Sequence, residues 1–130
     1  MRFILPLAVL AGSVVAAHAG PDVIRGEQVF KQCAACHAVG PNAKAKVGPP
    51  LNAIVGRTWA QVQGFSYSSD LKSGGAAGKV WDEATLDAYI ANPRAVSPSG
   101  RMPFGGLRTE SDRLDLIAFL SQFDAAGEKK

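Results

Sequence analysis

Cys33-Ala34-Ala35-Cys36-His37 is the stretch on which the reading of this chain turns. Its two thiols stand three positions apart, close to one helical turn of roughly 3.6 residues, and so lie on a shared side. A histidine follows at once. That order suits a porphyrin stitched to the chain by two thioethers, with the imidazole turned beneath the macrocycle as the proximal iron ligand. A C-x-x-C-H run is far more specific for haem attachment than a bare C-x-x-C. Three other chemistries compete with it. A dithiol redox site wants the pair inside a βαβ unit, and the chain has no strand alternation of any length. A zinc centre wants about four ligands, and too few cysteines and histidines remain to supply them. A Cys33–Cys36 disulfide would leave His37 without a role.

On the N-terminal side, Arg2 precedes an almost wholly apolar run from Phe3 to Ala17, and Ala17-His18-Ala19 fits a small-residue cleavage site. The run falls short of the ~20 residues a membrane span needs. The expectation is a secretory leader over residues 1–19, cut after Ala19, and one exported domain over residues 20–130. Without the leader the ligand inventory shrinks. Of two histidines only His37 stays, and of two methionines only Met102. If the iron takes a second ligand of the soft or imidazole kind, Met102 is the sole choice; lysine or tyrosine ligation stays open beside it.

The chain of 130 residues fits one domain. With 14 glycines and 8 prolines it is rich in turns, and a domain of this size builds only a modest core. A large apolar cofactor would complete that core as well as do the chemistry. The formal charge of +3 drops by one with Arg2. So weak a positive balance argues against nucleic acid and suits brief docking on acidic protein surfaces.

Asp22 predicts the cap of a first helix through Val23, Val29 and Phe30 toward Cys33. Gly26 inside it is unfavourable by about 1 kcal/mol against alanine unless another helix crosses there. Gly40-Pro41 breaks the pattern, and residues 41–58 read as loop. Within it, Gly48-Pro49-Pro50-Leu51 has two readings: an ordinary stiff turn, or a Pro49 carbonyl that accepts the His37 N–H and fixes its tautomer. A short helix is expected from Ser68 or Ser69 to Gly74-Gly75. Asp82 caps a better one, with Leu86, Tyr89 and Ile90 on one face, ended by Asn92-Pro93. Residues 93–106 show no helical period and read as an irregular loop around Met102. The last helix is predicted with Thr109 and Asp112 as a loose capping box. Leu114, Ile117, Ala118 and Ser121 form one row of it and Leu116, Leu120 and Phe123 another, with Asp112, Arg113 and Asp115 toward water.

These motifs, with Val47-Gly48-Pro49-Pro50-Leu51, Gly56-Arg57, Gly64-Phe65-Ser66-Tyr67, Trp81, Thr85-Leu86, Tyr89, Asn92-Pro93 and Met102-Pro103-Phe104-Gly105-Gly106-Leu107, stand in the order of class I c-type cytochromes. From about Gly26 to Phe123 the chain resembles that family, of the mitochondrial cytochrome c and bacterial cytochrome c2 type. The resemblance implies a small all-α fold wrapped around one covalent haem c, with the N- and C-terminal helices crossed. It implies thioethers at Cys33 and Cys36 and iron ligands at His37 and Met102. Pro49 would bond His37, Arg57, Tyr67 and Trp81 would hold the propionates, and Tyr89 would lie near the Met102 sulfur. The chain departs from the mitochondrial pattern in three places. It is a few residues longer between Tyr67 and Trp81, it has Gly100 where mitochondrial relatives carry threonine, and its basic ring is sparser. Lys44, Lys46, Arg94, Arg101 and Arg108 fall at ring positions, but Glu27 and Gln32 replace basic ones.

The function this implies is electron transport: a soluble, monomeric periplasmic carrier, not an enzyme, passing one electron at a time between redox protein partners. It needs no nucleic acid and no stable membrane insertion. The rival is a haem c subunit of an oxidoreductase complex, or a minor catalytic haem protein, in sulfur oxidation or peroxide reduction, for which an acid or base near open iron is wanting. A secreted binding module without haem is the reading from another class.

Overall fold

A computed structural model describes residues 20–130 of the chain, together with Gly12 and Ser13. The rest of the expected leader, and its cleavage site at Ala19, lie outside the described residues. Among the described residues five helices follow one another: α1 Val23–Phe30, α2 Ser69–Ala76, α3 Glu83–Ala91, α4 Pro93–Val96 and α5 Glu110–Leu120. Among the described residues the only β pairings are two isolated bridges, Thr58 with Val80 and Phe123 with Lys129. The molecule is all-α, as the sequence implies.

α1 begins where Asp22 Oδ1 accepts the backbone N–H groups of Ile24 at 2.9 Å and Arg25 at 3.1 Å, satisfying two donors that the first turn leaves unpaired. α1 and α5 cross at Gly26. A Cβ there would lie 2.6 Å from the Asp115 carbonyl carbon and 2.8 Å from Phe119 Cβ, so glycine is what lets the two backbones meet. Polar contacts frame the crossing. The Asp22 N–H donates to Asp115 Oδ1 at 2.7 Å, and Arg25 Nε donates to Asp112 Oδ1 at 3.1 Å. Beneath them Val29, Phe30, Leu116, Ile117, Phe119 and Leu120 form the core, with the Phe30 and Phe119 rings 5.4 Å apart. Burying each such side chain is worth about 1.5–3 kcal/mol.

The structure corrects several local expectations. α2 does not stop at Gly74-Gly75 but runs on to Ala76, the chain turning at Gly78 with φ +78°. The glycine pair serves packing instead: Trp59 lies against both residues, and a Cβ on Gly74 would come within 2.7 Å of its Cζ3. Pro93–Val96 is not loop but the one-turn helix α4. Pro93 takes its first position, where no N–H is needed, and Asn92 Oδ1 accepts from the Ala95 N–H at 3.3 Å. Thr109 stands at the head of α5 but makes no side-chain capping bond. Leu114 is 42 % exposed, and the core face of α5 runs through Phe119 instead.

Nor do Asp112, Arg113 and Asp115 simply face water. Asp112 binds Arg25 of α1, and Asp115 binds the N–H of its cap, Asp22. Arg113, its side chain only 13 % exposed, donates to Asp87 Oδ1 at 2.6 Å and to the carbonyls of Leu107 at 3.0 Å and Arg108 at 2.9 Å. Charge on a surface-looking helix position suggests solvation; here it fastens α5 to α3 and to the segment that returns from Met102. Gly106, at φ +115°, lets that segment pass against the Ala91 backbone.

Candidate functional site

After Phe30 the chain keeps turning. The Cys33 and Ala34 N–H groups both reach back to the Phe30 carbonyl, at 2.8 and 3.0 Å, and the His37 N–H donates to the Cys33 carbonyl at 2.9 Å. Cys33, Cys36 and His37 are thus set on one turn prolonging α1. Both thiols are free and half-buried. Burial and the neighbouring Cys36 push the Cys33 thiol above its ordinary pKa.

The Gly48–Leu51 segment closes over His37. The Gly48 N–H donates to the Cys36 carbonyl at 2.8 Å, and the Leu51 N–H to that of Ala38 at 2.9 Å. His37 Nδ1 stands 2.7 Å from the Pro49 carbonyl oxygen. A carbonyl can only accept, so Nδ1 carries the proton and Nε2 keeps the lone pair in the neutral ring. Burial, the largest influence, lowers the imidazole pKa against the raising effect of the Pro49 bond, and the charges of Arg57 and Lys46 lower it further. The neutral, iron-binding form is favoured. Gly48 forms the other side of this slot: a Cβ there would lie 2.8 Å from Nδ1 and 2.9 Å from Nε2.

All nine residues singled out from the sequence (Cys33, Cys36, His37, Pro49, Arg57, Tyr67, Trp81, Tyr89 and Met102) line one cavity of about 430 Å³. Its wall is otherwise mainly apolar, with Val29, Leu86, Leu116 and Leu120 from α1, α3 and α5 among the contributors. Met102 is half-buried there, and among the described residues it is the one methionine, as His37 is the one histidine. Trp81 and Tyr89 pack at 4.9 Å between centroids, and burial raises the Tyr89 phenol pKa, so it stays protonated. Arg57 Nη1 donates to the Pro50 and Asn52 carbonyls at 3.1 and 3.0 Å, while its Nε is buried without a partner among the described residues. Tyr67 Oη accepts the Val62 N–H at 3.1 Å and leaves its own hydrogen to be placed.

Sequence reasoning passed over Trp59. It is buried, stacks on Trp81 at 4.5 Å with a 23° tilt, and carries Lys79 Nζ 5.0 Å over its ring. Its signal was there to read in the small Gly74-Gly75 pair, Gly74 lying against its ring and Gly75 against its backbone carbonyl.

These residues fit an iron porphyrin. Two free thiols one turn apart can form the thioethers, an imidazole of fixed tautomer and a thioether sulfur share one apolar wall, and the unpartnered Arg57 Nε suits an anionic edge. The fold and site define a small all-α domain built around a covalently attached haem.

Comparison with known proteins agrees. The family model for cytochrome c matches residues 23–124. Cytochrome c2 of Rhodomicrobium vannielii is 51 % identical over 105 residues, covering 81 % of this chain and 82 % of that protein. Cytochrome c2 of Blastochloris viridis is 45 % identical over 129 residues, with 99 % and 98 % covered. The solved cytochrome c2 of Rhodospirillum centenum superposes with a TM-score of 0.74 at 37 % identity, covering 79 % of this chain and 98 % of that one. The chain belongs to the cytochrome c family and is of the c2 type, an electron-transport class that binds iron in a covalent haem c.

Proposed function

We propose that this chain is an exported, soluble, monomeric one-electron carrier of the periplasm, cleaved from its leader after Ala19, with His37 and Met102 as axial ligands and Cys33 and Cys36 as thioether anchors. One observation carries the reading: His37, its Nδ1 proton pinned on Pro49, and Met102 wall the same apolar cavity. Haem supplies a reversible one-electron iron couple. The chain's own part is to tune and shield it. A soft thioether favours the ferrous state, and the low-dielectric wall disfavours the extra positive charge of the ferric one, so both raise the potential. Arg57, Tyr67 and Trp81 would hold the propionates, and Tyr89 would lie near the Met102 sulfur, all of them lining the same cavity. With both axial positions taken by side chains of the chain, no place is open for a substrate, which makes a carrier and not an enzyme.

Lys44, Arg94 and Arg108 are exposed. Lys46 and Arg101, also exposed, are tied at their tips to the Ala34 carbonyl at 2.7 Å and to Ser66 Oγ at 3.1 Å. In this reading they guide redox protein partners into short-lived contact at the open haem edge, over an interface below ~1,200 Å². No helix among the described residues is long and apolar enough to cross a membrane.

Met102→Ala with His37 intact tests the ligand set: the sulfur-to-iron band of the ferric spectrum is expected to vanish, and its survival would exclude Met102. Rapid peroxide turnover by the purified protein would overturn the carrier reading in favour of the enzymatic rival.

A further inference from the structure

We infer that Asp70 is a positioning residue whose carboxylate clamps the Met102 loop shut. The inference rests on the reading of Met102 as an axial ligand. Among the described residues α2 packs on none of the other helices. Its C-terminal half lies on Trp59 through Gly74 and Gly75, and its first turn is bonded to the loop that leads into Met102.

Asp70 Oδ2 there gathers three donors: the Ser99 N–H at 2.6 Å, the Ser99 hydroxyl, and the Ser97 hydroxyl at 3.3 Å. Ser97 has no exposed surface at all, and its Oγ also meets Ser68 Oγ at 3.0 Å. In return Ser99 Oγ accepts the Asp70 N–H at 3.3 Å and meets Ser69 Oγ at 3.0 Å. Arg101 Nη1 donates to Ser66 Oγ at 3.1 Å, one residue before Met102. Among the described residues, every hydrogen bond reaching positions 97–102 from a distant part of the chain comes from Ser66–Asp70.

The clamp also accounts for Gly100. The turn that wraps Ser97 and Ser99 around one carboxylate is closed by the Gly100 N–H on the Ser97 carbonyl at 2.8 Å, and a Cβ on Gly100 would lie 2.8 Å from that same oxygen. Position 100 has no room for a side chain, and fastening falls to Ser97, Ser99 and Asp70. An irregular loop with few bonds of its own would otherwise open readily and let the thioether leave. Held at three points, it keeps the sulfur in place through both oxidation states.

The test uses the ferric holoprotein with imidazole as probe, following loss of the sulfur-to-iron band on mixing. Asp70→Ala and Ser99→Ala are each expected to speed imidazole uptake by about tenfold, the scale of losing a hydrogen bond to a charged group. The double variant should gain little beyond Asp70→Ala, because the bonds Ser99 makes to that carboxylate are already gone in the single variant. Asp82→Ala, which removes the cap of α3, supplies a control of comparable destabilisation and should leave uptake unchanged. Unchanged uptake in Asp70→Ala and Ser99→Ala, or equal acceleration in Asp82→Ala, overturns the clamp. If Asp70→Ala fails to fold, Ser99→Ala decides alone, since the Ser68 cap of α2 is kept. Absence of the band in the unaltered protein is a different failure: it defeats the ligand reading, and the clamp with it.

Discussion

Placing a single methyl group at Gly48 probes the slot that holds the imidazole. Ordinary contact begins at 3.4 Å, and a Cβ on Gly48 would sit 2.8 Å from His37 Nδ1, so the ring must retreat by about 0.6 Å there and further at Cε1. It has nowhere easy to go. Nδ1 is bonded to Pro49 at 2.7 Å, and the Gly48 backbone is itself tied to Cys36 at 2.8 Å. Overpacking costs about 1–3 kcal/mol, and loosening the Pro49 bond adds about 1 kcal/mol. Gly48→Ala should therefore destabilise the holoprotein by about 2–4 kcal/mol, a fall in melting temperature of at least about 8 °C for a domain of this size. Guanidinium unfolding followed in the Soret band measures the loss, and the ferric spectrum should shift with the displaced ligand. Gly40→Ala is the useful contrast: nothing lies within 4 Å of a Cβ there, and only the φ of +101° opposes it. That variant should lose stability with an unaltered spectrum. A Gly48→Ala protein within 0.5 kcal/mol of the parent, spectrum unchanged, would mean the imidazole is not wedged between Gly48 and Pro49 (the margin is the ordinary scatter of neutral substitutions, about 0.5 kcal/mol).

Other outcomes follow from the same geometry. Gly26→Ala should cost about 3 kcal/mol or more, since its Cβ meets backbone and not a flexible tip; a calorimetric melting point near that of the parent would contradict the close crossing of α1 and α5. Arg113→Ala should lose about 1.5–3 kcal/mol in urea, leaving two carbonyls and Asp87 unpaired, and a loss that vanishes at high salt would reduce it to an exposed ion pair. Hydrogen bonds from Thr85 hold the Asp82 carboxyl below its ordinary pKa of 3.8. A folded pKa below the unfolded one gives stability that is present above 3.8 and lost as pH falls through the folded value. The stability gap between the parent and Asp82→Asn should accordingly close on acidification below pH 3.8, and a gap constant down to about pH 2 would refute the cap's role.

What was legible in the sequence was mostly what short-range chemistry dictates. Asp22 and Asp82 announce helix starts because a carboxylate two or three residues ahead of free N–H groups has little else to do. Gly26 announced a crossing because glycine inside a helix needs a reason. The all-α wrap around the haem motif could be read the same way, and the residues chosen for the site share one cavity wall. The misreadings lie where a distant partner decides. Thr109 caps nothing, although its hydroxyl suits the task. Arg113 looked solvated because Asp87 and the Leu107 and Arg108 carbonyls reach it only through the tertiary fold. The Gly74-Gly75 pair looked like a helix stop, since nothing local says that Trp59 will lie on it. The serines around Asp70 marked a helix start but gave no signal of the clamp, being 27 to 30 positions from their partners.

The crossing of the first and last helices also dictates an order of events. Asp22 and Asp115 touch across 93 positions, and Leu116 and Leu120 of α5 complete a wall whose cysteines belong to the turn just after α1. As the chain emerges from its N-terminus, Cys33 and Cys36 come out early, well before Leu116 and Leu120, which close the wall over them. The wall around the two sulfurs cannot be complete until α5 has emerged, whereas the sulfurs themselves are among the first groups to appear.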